Sequence, residues 1–200
     1  MGNVLNETAM IFSDQDTVNR NKKEKEYLDY INNHISNVKK AYEMYFIPLL
    51  SKDSISDLIS TQDIKNAIKV ASALVQEHDA SKFSDDEFDG YRIKYYPTEL
   101  EKSDPNWDEY SEARSEECWE HHYRNNPHHP EHWIDKETKT PKDIPLEYIV
   151  EMFCDWEAMS MLYDDMITWY EKEGSKKEYS ENTRKIIEDL LYNVLHNSKN

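Results

Sequence analysis

Glycine scarcity constrains this chain more than any other feature, with only three glycines in 200 residues. A phosphate-binding loop and a dinucleotide-binding fingerprint both need several glycines at fixed spacing, and a turn-rich β fold needs them at its turns. Long stretches rich in Glu, Lys, Leu, Ile and Tyr favour helices instead. The sequence therefore predicts an all-α protein, and any phosphate chemistry would have to proceed without a glycine loop.

The charge balance argues against a second class of function. Lys and Arg total 24 and Asp and Glu total 41, which gives a formal net charge of -17. Such a surface repels phosphate backbones, so we expect a small ligand rather than long nucleic acid. No apolar run reaches the ~20 residues that a membrane helix needs, and the N-terminus lacks a signal-peptide pattern. The two separated cysteines fit reduced thiols, which favours a cytoplasmic protein.

Hydrophobic periodicity predicts one helical bundle of about six helices over residues 21–200, preceded by a flexible polar arm over residues 1–20. Apolar residues at steps of three and four predict six helices, at 22–47, 61–78, 88–95, 107–124, 145–172 and 181–196. A further short helix is expected over 54–60. The pairs Ser60–Asp63 and Ser84–Glu87 have the spacing of N-terminal capping boxes. Four prolines predict a long surface excursion over 125–145, and ordered excursions of that length are often functional.

Four metal-competent side chains lie on or beside apolar stripes of three predicted helices: His34, His78, Asp79 and Asp155. An unpaired buried carboxylate costs several kcal/mol, so Asp155 needs a partner, and a divalent cation is an efficient one. Imidazole and carboxylate ligands together suit Mn, Fe, Co, Ni or Zn. Each residue alone has a simpler interpretation as a satisfied polar group in the core, and the combination favours a metal site.

A second cluster holds five of the eight histidines within twelve residues: His121, His122, His128, His129 and His132. On a helix, His122 shares the face of Cys118 and Trp119, whereas His121 is rotated by about 100°. One interpretation is a second metal site. Another is a phosphate-binding rim, where histidines and Arg124 attract an anion into an acidic protein. A solvated histidine-rich loop is the third.

The order of these residues resembles a known signature. His34, then His78-Asp79, then Asp155, all on helices, resembles the H…HD…D pattern of the HD-domain metal-dependent phosphohydrolase superfamily over about residues 25–170. The stretch from His78 to Lys82 resembles the extended HD-x-x-K form of members with two metals. Segments 126–133 and 154–160 also resemble an uncharacterised family of small HD-like proteins of phages and bacteria. For a phage-encoded protein, the expected compartment is the host cytoplasm.

The resemblance implies an all-helical domain that holds one or two divalent ions in its core. It makes His34, His78, Asp79 and Asp155 the primary ligands. His122, together with His128 or His129, becomes the candidate set for a second ion. Two-metal relatives usually space their later histidines more widely than the six positions between His122 and His128.

This ligand set predicts a phosphomonoesterase or phosphodiesterase that acts on a small nucleotide-like molecule through a metal-activated water. Asp79 would orient the water and Lys82 would hold a phosphate, with further substrate contacts from Arg124, His121 and His132. One alternative is a di-iron oxygenase, since relatives of this fold hold two irons with four His and two Asp. The other is a non-catalytic helical module that binds a nucleotide or a partner protein.

Overall fold

In a computed structural model of the protein, residues 14–163 and 165–195 are described. Over these ranges the chain is all-α and contains no strand, as predicted, with eight α-helices rather than about six. None of the described helices is both long and apolar enough to cross a membrane. The α-helices are α1 Asp14–Ala41, α2 Thr61–Gln76, α3 Phe88–Tyr95, α4 Glu99–Lys102, α5 Trp107–Asn125, α6 Leu146–Tyr163, α7 Met166–Lys172 and α8 Glu181–Glu188.

Shorter helical turns complete the described part of the chain. They comprise π-helical turns at Tyr42–Phe46 and Asp189–Leu195, and 3-10 turns at Ile47–Ser51, Ala80–Phe83, Pro130–Trp133 and Gly174–Lys176. Pro48 lies in the 3-10 turn that follows the π-helical segment, so the predicted helix 22–47 loses its α-helical geometry before the proline. The proline lacks a backbone N–H, which accounts for the change of geometry at this point.

The prediction of a flexible arm is wrong for residues 14–20, because α1 begins at Asp14. Acidic residues in the first turn stabilise the positive end of the helix dipole. Arg20 then donates to Glu24 at 2.9 Å and to Asp89 of α3 at 3.1 Å. These contacts tie the start of α1 to the body of the protein, although the segment has no apolar stripe. Residues 1–13 of the predicted arm lie outside the described residues.

The predicted short helix over 54–60 is not formed. The hydroxyl of Ser56 accepts the N–H groups of Leu58 and Ile59 and donates to Asp189. Side-chain bonds of this kind offer the backbone an alternative to the helical ladder. The next helix does begin as predicted, since the Ser60 side chain accepts the N–H of Asp63 at 3.1 Å.

Helix α6 is the centre of the bundle and packs against both α1 and α2. Its apolar face, which includes Ile149, Met152 and Phe153, is fully buried. It belongs to the same core cluster as aliphatic residues of the two neighbouring helices, chiefly Val38, Ala41, Ile68, Ala71 and Val75. Burial of each larger side chain contributes about 1.5–3 kcal/mol. This packing fixes the distance between α1 and α6, which carry His34 and Asp155.

A smaller apolar cluster joins α1, α3 and α5 through Tyr27, Ile31, Tyr91 and Cys118. The two helices α3 and α5 approach closely at Gly90, where an added Cβ would lie 2.3 Å from the sulfur of Cys118. This contact holds α5, the helix that carries His122, beside the first three helices.

The predicted excursion over 125–145 is confirmed as a long non-α connection between α5 and α6. It contains one 3-10 turn at Pro130–Trp133 and an antiparallel bridge between Ile134 and Pro141. The indole of Trp133 donates to the carbonyl of Pro127 at 2.7 Å. The start of the connection is thereby folded back against the bundle, with His128 buried.

Candidate metal centre

The four primary residues converge in the core. His34 comes from the middle of α1, His78 and Asp79 follow the end of α2, and Asp155 comes from α6. The Nε2 atom of His34 lies 3.1 Å from Asp155 Oδ1, 3.3 Å from His78 Nε2 and 3.5 Å from Asp79 Oδ2. His78 Nε2 lies 3.6 Å from the same Asp79 oxygen and 3.8 Å from Asp155 Oδ1. Ligand atoms around one tetrahedral ion are about 3.4 Å apart, so the spacing suits a metal.

The second oxygen of Asp79 faces a different set of histidines. Oδ1 lies 3.3 Å from Nε2 of His122 and 3.6 Å from Nε2 of His128. Asp79, His122, His128 and His129 each offer a ligand atom, and these atoms lie within 4.8 Å of one another. The structure therefore brings His122 rather than His121 to this group, and it brings both His128 and His129. One carboxylate joins the two groups of potential ligands.

The backbone at Asp79 is held in a left-handed conformation, with φ at 56°. Helix α2 ends at Gln76, so His78 and Asp79 lie just beyond the helix rather than at its C-terminal end, as was predicted. Non-glycine residues adopt this conformation at an energetic cost, and such positions cluster at functional sites. Here the turn places the Asp79 carboxylate between the two histidine groups.

Several polar atoms of this cluster have no hydrogen bond among the described residues. They are Asp79 Oδ1, His128 Nε2 and His129 Nε2, all buried from solvent. A buried polar atom without a partner costs about 1–3 kcal/mol. A cation between them would accept electron pairs from all three. The residues present thus fit a bound metal, and their chemistry of imidazole and carboxylate suits a divalent transition ion.

Glu151 lies next to two of the histidines, on the Nδ1 side of each ring and away from the ligand cluster. Its Oε1 lies 2.9 Å from Nδ1 of His78 and 3.3 Å from Nδ1 of His128. Burial raises the pKa of this carboxyl, but the nearby imidazole of His128 and the hydrogen bond from His78 outweigh it and lower the pKa to about 2. An ionised Glu151 accepts the Nδ1 proton of His78, which leaves the Nε2 lone pair of His78 directed at the ligand cluster, and it places a negative charge beside Nδ1 of His128. Carboxylates in this position orient metal-binding histidines.

Glu87 orients His122 through a hydrogen bond, as Glu151 orients His78. Its Oε2 lies 2.8 Å from Nδ1 of His122, and its Oε1 lies 2.7 Å from Nδ1 of His121. Burial raises the pKa of Glu87, but hydrogen bonds from His122 and His121 lower it overall. The predicted Ser84–Glu87 capping box is therefore wrong, because Ser84 donates to the carbonyl of Ser81 and Glu87 serves the histidines.

An aromatic cavity of about 490 Å³ opens onto this cluster. Its floor carries Asp79 and Lys82, and the Nζ atom of Lys82 lies 2.7 Å from Asp79 Oδ2. Burial lowers the pKa of Lys82, but the charge and hydrogen bond of Asp79 raise it overall, so the lysine stays charged. Lys82 is the only lysine or arginine among the lining residues. The walls are formed by Tyr27, Tyr30, Tyr91, Tyr95, Tyr96, Trp119 and Met159.

Three predicted substrate-binding residues lie away from this cavity. The guanidinium of Arg124 pairs with Glu120 on the exposed side of α5, and His132 Nδ1 donates to the carbonyl of Tyr123 at 3.0 Å. Arg124 follows His122 by two residues, which is about 200° around a helix, so the two point apart. His121 is held by Glu87 and is absent from the lining. Their proximity in sequence to the metal-competent histidines was misleading.

Fold and cluster together define an all-α protein whose buried His, Asp and Glu groups can hold a metal ion. A family model described as a family of unknown function, DUF5662, matches residues 23–197, and the chain belongs to that family. Neither the curated proteins nor the solved structures gave a match.

Proposed function

We propose that the protein is a metal-dependent phosphohydrolase, a phosphomonoesterase or phosphodiesterase that acts on a small nucleotide-like molecule. The observation that carries the proposal is the carboxylate of Asp79. Its two oxygens face two separate histidine groups at the floor of an aromatic cavity. Sites with two metals a few ångströms apart are typical of phosphoryl-transfer enzymes. The resemblance to the HD-domain superfamily supports the same chemistry.

The two groups divide the ligands as follows. His34, His78, Asp79 and Asp155 would hold the first ion, and Asp79, His122, His128 and His129 would hold the second. The ligand types suit Mn, Fe, Co, Ni or Zn. A bound divalent ion would supply an acidified water and polarise a phosphoryl oxygen.

The protein's own residues would bind the substrate and orient the metal ligands. Lys82 places a half-buried positive charge on the cavity floor, where it would offset the charge of a phosphate. Glu151 and Glu87 hold the histidines in one tautomer and orientation. The exposed rings of Tyr95 and Trp119 line the cavity and would stack a nucleobase. Both cysteines of the chain are free and buried, which fits the cytoplasmic location that we also propose.

A di-iron oxygenase is the second candidate, and the donor count favours it. Five histidines and two aspartates surround the centre. His34, His78, His122, Asp79 and Asp155, together with either His128 or His129, would give a set of four histidines and two aspartates. Nitrogen-rich ligand sets of this kind suit iron as well as zinc. The walls of the cavity are mostly aromatic, and a small uncharged substrate would fit them.

Phosphate release separates these functions. The protein would be purified without chelator and incubated with nucleoside monophosphates and cyclic nucleotides in the presence of Mn²⁺ or Co²⁺. We expect phosphate or ester hydrolysis that is lost in Asp79→Asn and retained in Asp108→Asn, an exposed aspartate of α5. Bound iron with oxygen consumption and no hydrolysis would favour the oxygenase. Nucleotide binding without bound metal or turnover would leave the non-catalytic module and contradict both enzymes.

A further inference from the structure

A second cavity of about 370 Å³ lies between the C-terminal turn of α5 and the segment 131–139. It does not share a lining residue with the aromatic cavity. Four basic side chains line it: Arg124, His132, Lys136 and Lys139. Such a concentration is unusual in a chain with a formal net charge of -17, and it makes this cavity a local attractor for anions.

The two acidic residues of the lining are neutralised by cations that lie outside it. Glu131 Oε1 pairs with Lys177 at 2.6 Å, and Asp135 Oδ2 pairs with Lys142 at 2.9 Å. Asp135 Oδ1 also accepts the backbone N–H groups of residues 137 and 138. Lys136 and Lys139 have no ion-pair partner among the described residues. Arg124 is paired with Glu120 outside the lining, so the net positive charge that faces the cavity comes from Lys136 and Lys139.

Lys139 occupies a backbone position that suits glycine better. Its φ is 57°, in the left-handed region, and its N–H donates to the carbonyl of Asp135 at 2.9 Å. The bridge between Ile134 and Pro141 holds the turn closed. Glycine adopts this conformation without the steric cost that a side chain brings. The turn thus carries a lysine at a position where the backbone conformation alone would favour glycine.

The hydrogen-bonding groups in the cavity indicate a ligand that carries a hydrogen-bond donor as well as an anionic group. Glu131 Oε2 is buried without a hydrogen-bond partner among the described residues. His132 uses Nδ1 to donate to the carbonyl of Tyr123, which leaves its Nε2 for a ligand. A ligand that combines an anionic group with a hydroxyl donor satisfies both the lysines and Glu131.

We propose that this cavity binds a small phosphate ester that carries a free hydroxyl, such as a sugar phosphate, separately from the metal centre. The phosphate lies against Lys136, Lys139 and Arg124, and a hydroxyl of the ester donates to Glu131. Arg124 and His132 therefore hold a phosphate as their residue types suggest, but in this cavity rather than in the one above Asp79.

Isothermal titration calorimetry with ribose 5-phosphate tests the proposal. In the Asp79→Asn background with EDTA present, the metal centre is disabled and binding is expected to persist. Lys136→Gln combined with Lys139→Gly is expected to weaken binding about tenfold or more, because two charge-assisted contacts are lost. Lys185→Gln, an exposed lysine of α8, removes a charge elsewhere and is expected to leave affinity unchanged.

Lys139→Gly alone separates binding from folding. It relieves the backbone conformation, so the thermal midpoint is expected to stay the same or rise while affinity falls. Equal affinity of the double variant and the parent would overturn the proposal. So would loss of binding in Asp79→Asn, because the ester would then occupy the metal centre. Equal affinity for inorganic phosphate and ribose 5-phosphate would contradict the role of Glu131.

Discussion

Glu151 accepts a hydrogen bond from His78, with Oε1 2.9 Å from Nδ1 and both side chains almost fully buried. The same oxygen lies 3.3 Å from Nδ1 of His128. One carboxylate therefore orients His78 of the first ligand group by a hydrogen bond and lies beside His128 of the second. Glu151 lies on α6 four residues before Asp155, so a single helix supplies both a potential ligand and the support for two others.

Glu151→Gln is expected to weaken metal binding by about 10–100-fold, the usual cost of losing such a support. The amide still fits the space, but it no longer accepts the Nδ1 proton of His78 as an anion or places a negative charge beside His128. Competition against a metal-chelating dye measures the change. Glu147→Gln, one turn earlier on α6, is the matched control and is expected to bind metal normally. Unchanged affinity in Glu151→Gln would contradict the orienting role.

Tyr95→Ala is expected to raise the KM for a nucleotide roughly fivefold, which corresponds to about 1 kcal/mol of stacking on an exposed ring. The side chain is 63% exposed, so its removal leaves the core intact. The KM for a phosphate ester without an aromatic ring is expected to stay the same. Tyr110→Ala, on the exposed face of α5 outside the cavity, is the control. A KM that rises equally for both esters would argue against stacking.

Arg92→Met is expected to lower the free energy of unfolding by about 2–3 kcal/mol. The guanidinium is fully buried and donates to Glu101 at 2.8 and 2.7 Å, and loss of one partner from a buried ion pair is costly. Urea denaturation measures the change. Arg114→Met removes an exposed pair with Glu117 and is expected to cost under about 1 kcal/mol. A similar small loss in both variants would contradict this interpretation.

The same ion pair predicts a pH dependence. Burial raises the pKa of Glu101, but the hydrogen bond from Arg92 and the Thr98 N–H lower it overall. A depressed pKa in the folded state contributes stability above the ordinary glutamate pKa of about 4.3, and that stability is lost as the pH falls below it. The stability difference between the parent and Arg92→Met is therefore expected to shrink below about pH 4. A constant difference from pH 7 to pH 3 would count against the linkage.

Gly90→Ala is expected to destabilise the protein by about 1–3 kcal/mol, because its Cβ would lie 2.3 Å from the sulfur of Cys118. In a Cys118→Ala background the sulfur is absent, and the cost is expected to fall. Alanine is otherwise the better helix former by about 1 kcal/mol. Thermal unfolding of the four proteins in this cycle measures the coupling. Purely additive effects would show that α3 and α5 are not in contact there.

Periodicity predicted where His34 and Asp155 lie, because both occupy stripes that the bundle buries. It also predicted most of the helices, but not the short helix α4 or the division of 145–172 into α6 and α7. It was wrong at the start of α1 and over the segment 54–60. Ion pairs and hydroxyl contacts from distant parts of the chain decide those two places, and a local pattern cannot show them.

The sequence pattern did not predict that Glu87 and Glu151 support the histidines, and the reason is different. Glu87 has the spacing of a helix cap from Ser84, and only the tertiary fold directs it to His122 instead. Glu151 lies in a strongly apolar helix, and its spacing of four residues before Asp155 is a signal that sequence reasoning can use. Arg124 and His132 line a different cavity from Asp79, because closeness in sequence to His122 and His128 does not determine which way a side chain faces.

Metal content per chain tests the central claim most directly. Asparagine tolerates the left-handed backbone of residue 79, so Asp79→Asn removes the shared carboxylate charge without a conformational penalty. Protein purified without chelator would be measured by mass spectrometry of its metals, with Asp108→Asn as the control. We predict about two divalent ions per chain in the parent and the control, and a loss of both in Asp79→Asn. A parent that holds no metal after incubation with Mn, Fe, Co, Ni or Zn, or an Asp79→Asn variant that holds as much as the parent, would contradict the metal centre.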